Sequence, residues 1–382
     1  MGPGSPSLRS VVRNDVELEV TTMATHKAWR LHAHNDLRFD TVETPAPAPD
    51  GVVVRIEAAM VLSYMGKVLS GAVPYGLPPM PFVPGTNAIA RVVAAGETVS
   101  HVRAGDRVFL SPHLRADVPD PEPPQILIGL TGMAPTEAAL GLQARWRDGV
   151  FAESAHWPAA CVTPLSGLDD RPATELIGLA KLIVPYGGLQ RSGLKGGQTV
   201  IINGASGYFG SGAVMLAVAM GAGRVVAVGR KREALERLNE AVGSRVIPAV
   251  VAGDDPAKDV ATIRHAACGG ADVALDLLGQ ASSTTTTLAT LRALKRGGRL
   301  VLMGSAAAPL ELSFGEMLAN DWEVVGQFMY ERTAPGRLAS LASEGLLDLT
   351  KIVVTSFALA DFPRAVEAAA LMQGLDLTAI VP

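Results

Sequence analysis

Two patterns of apolar positions divide the chain. Residues 27–31, 51–57, 89–93 and 106–109 are short segments rich in β-branched and apolar side chains, set apart by turn residues such as Pro45, Pro47 and Pro49. They predict a compact β unit. Past residue 170 helical periodicity takes over at 173–184. The uninterrupted apolar run Val200, Ile201, Ile202 then reads as a strand buried on both faces. From there strands at 224–228, 246–247, 272–276, 299–303 and 322–326 alternate with helices at 212–219, 233–241 and 285–294. That alternation predicts an α/β fold with a doubly wound parallel sheet. Strand-like residues 150–152 return to the β unit, and the mixed tail from 335 to 382 is expected to fold back onto it. The resulting division is 23–170, completed by 321–382, and 171–320. Residues 1–22 read as a disordered extension or expression remnant. Between the β segments, Pro112, Pro119, Pro121, Pro123 and Pro124 predict an excursion over 111–132 without regular structure.

Glycines stand at 204, 207 and 210, where the buried strand gives way to the next helix. A turn without side chains lets backbone N–H groups approach an anion, and the helix start adds its positive end. Ser206, Gly207, Tyr208, Phe209 and Gly210 are therefore expected to hold a pyrophosphate. At the end of the next strand, where an NAD site carries an acid for the ribose, the sequence has Gly229, Arg230, Lys231 and Arg232. Three cations at a helix start oppose the macrodipole unless something anionic offsets them. The 2′-phosphate of NADP(H) answers that need, with Gly229, Arg230 and Lys231 as its expected contacts. The alternative is a solvated basic patch beside Glu233 and Glu236. Leu277, Leu278 and Gly304 fall at strand ends on the carboxyl edge, where such sheets bind ligands.

Composition narrows the partners. With 382 residues, 48% hydrophobic, 18% charged and a net charge of −4, the chain has room for two domains and no general attraction for nucleic acid or membrane. Cys161 and Cys268 stand far apart without a C-x-x-C companion, which suggests neither a disulfide framework nor a four-ligand zinc site. The seven histidines show no H-E-x-x-H spacing. Lacking an apolar span or a signal-peptide core, the protein is expected in the cytoplasm.

Several phrases resemble the medium-chain dehydrogenase/reductase superfamily. They are Pro84, Gly85, Thr86 and Asn87 leading to Gly96; Ala104 to Val108; the glycine turn from Asn203 to Gly210; and Arg296 to Gly304. The resemblance runs from about Ala28 to the C-terminus and implies a GroES-like β-rich catalytic domain beside a Rossmann cofactor domain. Zinc alcohol dehydrogenases of this superfamily place metal ligands where this chain looks to have Leu62, Thr86 and Asn87. The resemblance therefore implies no zinc and points to the zinc-free quinone and enone reductases. Their Asn-Pro-x-Asp phrase is replaced here by Leu62, Ser63, Tyr64 and Met65.

The expected function is a zinc-independent, NADPH-dependent oxidoreductase that passes hydride to an enone, quinone or related carbonyl. Tyr64, Tyr75 and Asn87 are the catalytic candidates, against the reading of half-buried tyrosines and a turn asparagine. The alternative is a cofactor-binding sensor or interaction protein with little turnover. A short-chain dehydrogenase is excluded, because no tyrosine here has a lysine four residues on. The segment 322–326 resembles the superfamily strand that pairs across a two-fold axis, so a homodimer is expected.

Overall fold

The computed structural model describes residues 25–133 and 136–382. The extension expected over 1–22 lies outside them. The six strands Val246–Val250, Arg224–Gly229, Thr199–Asn203, Ala271–Asp276, Leu294–Leu302 and Glu323–Gly326 lie side by side in that order, every pairing parallel. Their central members carry Val200, Ile201, Ile202, Val225, Val226, Ala274 and Leu275, all fully buried, as a sheet covered on both faces requires. The chain runs outward from Thr199–Asn203 in one direction, then returns to its other side at Ala271–Asp276. That reversal opens a crevice at the carboxyl ends of these two strands. Because Glu323–Gly326 pairs with Leu294–Leu302, the parallel sheet runs past residue 320.

A second sheet is built mainly of antiparallel pairs around the long strand Gly51–Val61, whose neighbours are Ala88–Ala95, Ser154–Pro158 and Asp376–Val381. The C-terminal tail therefore closes this sheet, with Thr378 opposite Val61. Trp29 adds a hydrogen bond from its indole to the Leu359 carbonyl, 2.7 Å.

Three expectations change. Residues 111–132 are not free of regular structure: His113–Arg115, Gln125–Leu127 and Thr131–Gly132 form a small antiparallel sheet. Pro119, Pro121, Pro123 and Pro124 gather in the connection between Arg115 and Gln125, so no ladder hydrogen bond is lost to them. The helix expected to end at 184 is two helices, Ala173–Leu176 and Gly178–Ser192. The second runs through Pro185, which removes one backbone donor without ending it, because the helix is buried between its neighbours. The strand-like residues 150–152 form only an isolated bridge, Ala28 to Ala152, and the strand starts at Ser154. Among the described residues no helix is long and apolar enough to cross a membrane.

Candidate active site

The glycine turn follows Thr199–Asn203 and ends at the helix Tyr208–Ala219, whose N-cap is Gly207. Gly204 has φ +80°, a left-handed conformation that disfavours any Cβ. A Cβ on Gly210 would lie 2.0 Å from the Gly204 carbonyl oxygen. Both glycines are thus required by the turn itself, which brings the unpaired N–H groups of the helix start up to the crevice.

A cleft of about 470 Å³ opens there. Of the residues expected to bind cofactor, Ser206, Gly207, Gly229, Arg230, Leu277 and Leu278 line it. Tyr208, Phe209, Gly210, Lys231 and Gly304 are not among its lining residues. Gly304 packs behind the wall, where a Cβ would come within 2.4 Å of the Leu278 carbonyl. Lys231 is the exposed N-cap of helix Arg232–Val242, and Arg232 turns to Glu236 at 3.6 Å. The solvated-patch reading therefore fits Arg232. Arg230 faces the cleft and has no ion pair among the described residues.

Two buried carboxylates hold the cleft walls. Asp276 Oδ2 accepts from Asn203 Nδ2 at 2.8 Å and Thr287 Oγ1 at 2.7 Å, while its Oδ1 accepts from the Leu278 N–H at 3.1 Å. This ties the glycine-turn strand, the helix Thr285–Arg292 and the 277–278 wall together. Asp259, 2% exposed, accepts from the N–H groups of Ala252 and Gly253 and fixes the loop on the far side. Sequence reading missed both. In the sequence Asp276 reads only as the ordinary end of an apolar buried strand.

Across the cleft, the short helix Met65–Leu69 reaches over from the other sheet. Lys67 Nζ donates to Gln280 Oε1 at 3.2 Å, and Gln280 lines the cleft with φ +49°. Tyr64, at the start of that helix, meets Tyr75 edge to face with ring centroids 6.4 Å apart. Burial raises the Tyr64 phenol pKa, helped by Tyr75 beside it. Tyr75 is held from behind, because the Gly76 carbonyl accepts from both Gln143 Nε2 and the Gly132 N–H, each at 2.8 Å. The proline-rich excursion thus tethers the Tyr75 loop. Asn87, 4% exposed, belongs to another group: its Nδ2 donates to the Leu110 carbonyl at 3.3 Å.

Tyr208 turns away from the cleft. Its hydroxyl donates to Met60 Sδ at 2.9 Å, and the fully buried Lys181 ammonium lies 3.6 Å from its ring centroid. Burial lowers the Lys181 pKa to about 7, against a raising influence from Asp376. At the positions matched to zinc ligands, Leu62 is apolar and buried, and the Thr86 hydroxyl is buried without a hydrogen-bond partner. No cluster of three His, Cys, Asp or Glu among the described residues could hold a metal ion. Leu62, Thr86 and Asn87 do not make a zinc ligand set.

Known families match the chain in two stretches. The description "Alcohol dehydrogenase GroES-like domain" matches residues 48–167, and "Zinc-binding dehydrogenase" matches 209–344. The chain belongs to the medium-chain dehydrogenase/reductase superfamily. Its fold is that of the superfamily, a GroES-like unit beside a Rossmann-like parallel sheet.

Within this superfamily the chain is 24% identical over 363 residues to sorbitol dehydrogenase of Bacillus subtilis, covering 90% of this chain and 93% of that one. It is 26% identical over 312 residues to acryloyl-coenzyme A reductase of Metallosphaera sedula, covering 80% and 84%. In structure it resembles a protein described as a zinc-binding dehydrogenase of Sinorhizobium meliloti bound to NADP. There the TM-score is 0.73 and the identity 22%, over 94% of this chain and all of the other. An alcohol dehydrogenase from Thermus sp. ATN1 superposes with a TM-score of 0.76 at 23% identity, over 93% and 99% of the two chains.

Proposed function

We propose that this medium-chain protein is a zinc-independent, NADP(H)-dependent reductase that passes hydride to a polarised acceptor: an enone, a quinone or a related carbonyl. The observation that carries the reading is Arg230, a cation without an ion pair among the described residues, lining the same cleft as the glycine turn. A cleft of this size and shape fits a dinucleotide, and its cradle is one that a Cβ at Gly204 or Gly210 would disturb. The NADP held by the Sinorhizobium meliloti protein supports the cofactor, and a relative named as an acryloyl-coenzyme A reductase supports the acceptor class.

Bound NADPH supplies the hydride. The chain's own part is to orient, exclude water and place a proton donor near the acceptor oxygen. Tyr64, with Tyr75 against its ring, serves as that donor, since the buried Tyr64 phenol with its raised pKa keeps its proton at neutral pH. Oxidation of an unactivated alcohol, as the name sorbitol dehydrogenase implies for that relative, calls for a Lewis acid that Leu62, Thr86 and Asn87 are not built to hold.

The test uses protein dialysed against a chelator, titrated with NADPH and NADH and then offered enones, quinones, enoyl thioesters and sorbitol. The expected result is tighter NADPH binding and NADPH consumption with at least one conjugated acceptor, slowed when Tyr64 and Tyr75 are both changed to phenylalanine. Turnover of sorbitol alone, restored only by added zinc, overturns the reading. Binding of NADPH with no acceptor consumed favours a cofactor-dependent sensor.

We further propose a homodimer. Glu323–Gly326 is paired on one side only, and beside it Phe314 and Leu318, one helical turn apart, are 85% and 69% exposed. A second copy would cover both the open edge and this apolar patch. Light scattering is expected to give twice the chain mass, falling to the monomer for Phe314→Asp with Leu318→Asp; a wild-type monomer refutes it.

A further inference from the structure

The segment that follows Arg107–Leu110 and the one that follows Glu323–Gly326 meet at a small hollow lined by Ser111, His113, Arg115, Cys161, Tyr330 and Arg332. It shares no lining residue with the cofactor cleft. Its room, about 30 Å³, exceeds what one water needs.

Counting hydrogens shows what the hollow lacks. Ser111 Oγ and Tyr330 Oη are 2.7 Å apart, and both residues are 4% exposed. Each hydroxyl carries one hydrogen, and the bond between them uses one. Among the described residues neither oxygen has a further side-chain or backbone acceptor, so one O–H is left over in a buried place. Burial raises the Tyr330 pKa, so the phenol keeps its proton. Asn87 lies beside the phenol, and its Nδ2 donates to the Leu110 carbonyl.

The charged groups point the same way. Burial lowers the His113 pKa, with Arg115 close enough to add to the effect, and burial raises the Cys161 thiol to about 12 against a lowering influence from the nearby Arg332. Arg115 has no ion pair among the described residues, and Arg332 has only the exposed Asp117 at 4.0 Å. The hollow thus holds one spare buried O–H and has two guanidinium groups at its rim, beside Thr163 and the apolar Leu114, Ala160 and Pro335. An oxyanion supplies what is missing: several lone pairs for the spare O–H and negative charge for the guanidinium groups.

We propose that this hollow binds a small oxyanion, a phosphate or carboxylate group, through the Ser111 and Tyr330 hydroxyl pair with Arg115 and Arg332 at its rim. The group is either a free ion or the anionic end of the acceptor.

Titration calorimetry with inorganic phosphate, against chloride at equal ionic strength, tests this on wild type and on the double variant Arg115→Ala with Arg332→Ala. Each is measured with and without saturating NADP⁺. The expected result is a saturable phosphate signal that survives NADP⁺ in wild type and weakens roughly tenfold or more in the double variant, with NADPH affinity unchanged. Tyr330→Phe is expected to weaken phosphate as well. If NADP⁺ does not bind, the cofactor reading fails on its own, and the difference between wild type and the double variant still decides the hollow.

Kinetics separate the two sources. Phosphate that raises the acceptor's KM without changing kcat assigns the hollow to the acceptor's anionic end; phosphate that binds without competing assigns it to a free ion. A phosphate response no greater than that to chloride, or one unchanged in the double variant, overturns the proposal and leaves the spare hydroxyl to water.

Discussion

Replacing Arg230 with alanine is expected to weaken NADPH binding ten- to a hundredfold while leaving NADH binding within a factor of about two. A charge-assisted hydrogen bond contributes about 1.5–3 kcal/mol, which is one to two factors of ten in affinity. The two dinucleotides differ by the 2′-phosphate alone, so the selectivity of the loss locates the contact. Arg230 is the residue to change because it lines the cleft, whereas Arg232 is engaged by Glu236 and Lys231 caps the helix outside. Fluorescence titration of the reduced nicotinamide reads both constants. An equal loss for NADH and NADPH would mean that the arginine acts on the shared part of the cofactor, and no loss for either would remove the basic cluster from the site.

Asp276→Ala is expected to cost about 3 kcal/mol or more of folding stability and to loosen NADPH together with NADH. The carboxylate accepts three hydrogen bonds from Asn203, Thr287 and Leu278 at a place 4% exposed. Removing it leaves buried donors unsatisfied at about 1–3 kcal/mol each, against a total stability of about 5–15 kcal/mol. The cofactor effect follows from place rather than contact, since Asn203 ends the strand before the glycine turn and Leu278 is a wall of the cleft. Denaturant unfolding measures the first effect and titration the second. A loss under 1 kcal/mol would show that water or a shifted side chain replaces the carboxylate.

The two effects also distinguish two kinds of residue. Arg230 was legible because three cations in a row at a strand end are locally anomalous. Asp276 was not, because an aspartate after Val273, Ala274 and Leu275 looks like the ordinary end of a strand until Asn203 and Thr287 are brought beside it. The proline-rich segment failed as an expectation for a related reason. Prolines forbid ladder positions where they stand, yet they say nothing about the short strands on either side.

The alternation of buried strands and helices, the glycine turn and the basic strand end could all be read before any contact was known. Each follows from side-chain size, backbone freedom or charge within a few residues. Which candidates meet depends instead on packing between distant segments. Tyr64 and Tyr75 stand together beside a Gly76 carbonyl gripped by the Gly132 N–H and by Gln143. Asn87 joins Leu110, and Ser111 joins Tyr330, 219 positions further along the chain. The reason is that hydrogen bonds and burial between distant segments are set by how the two sheets pack, and that information is spread over the whole core.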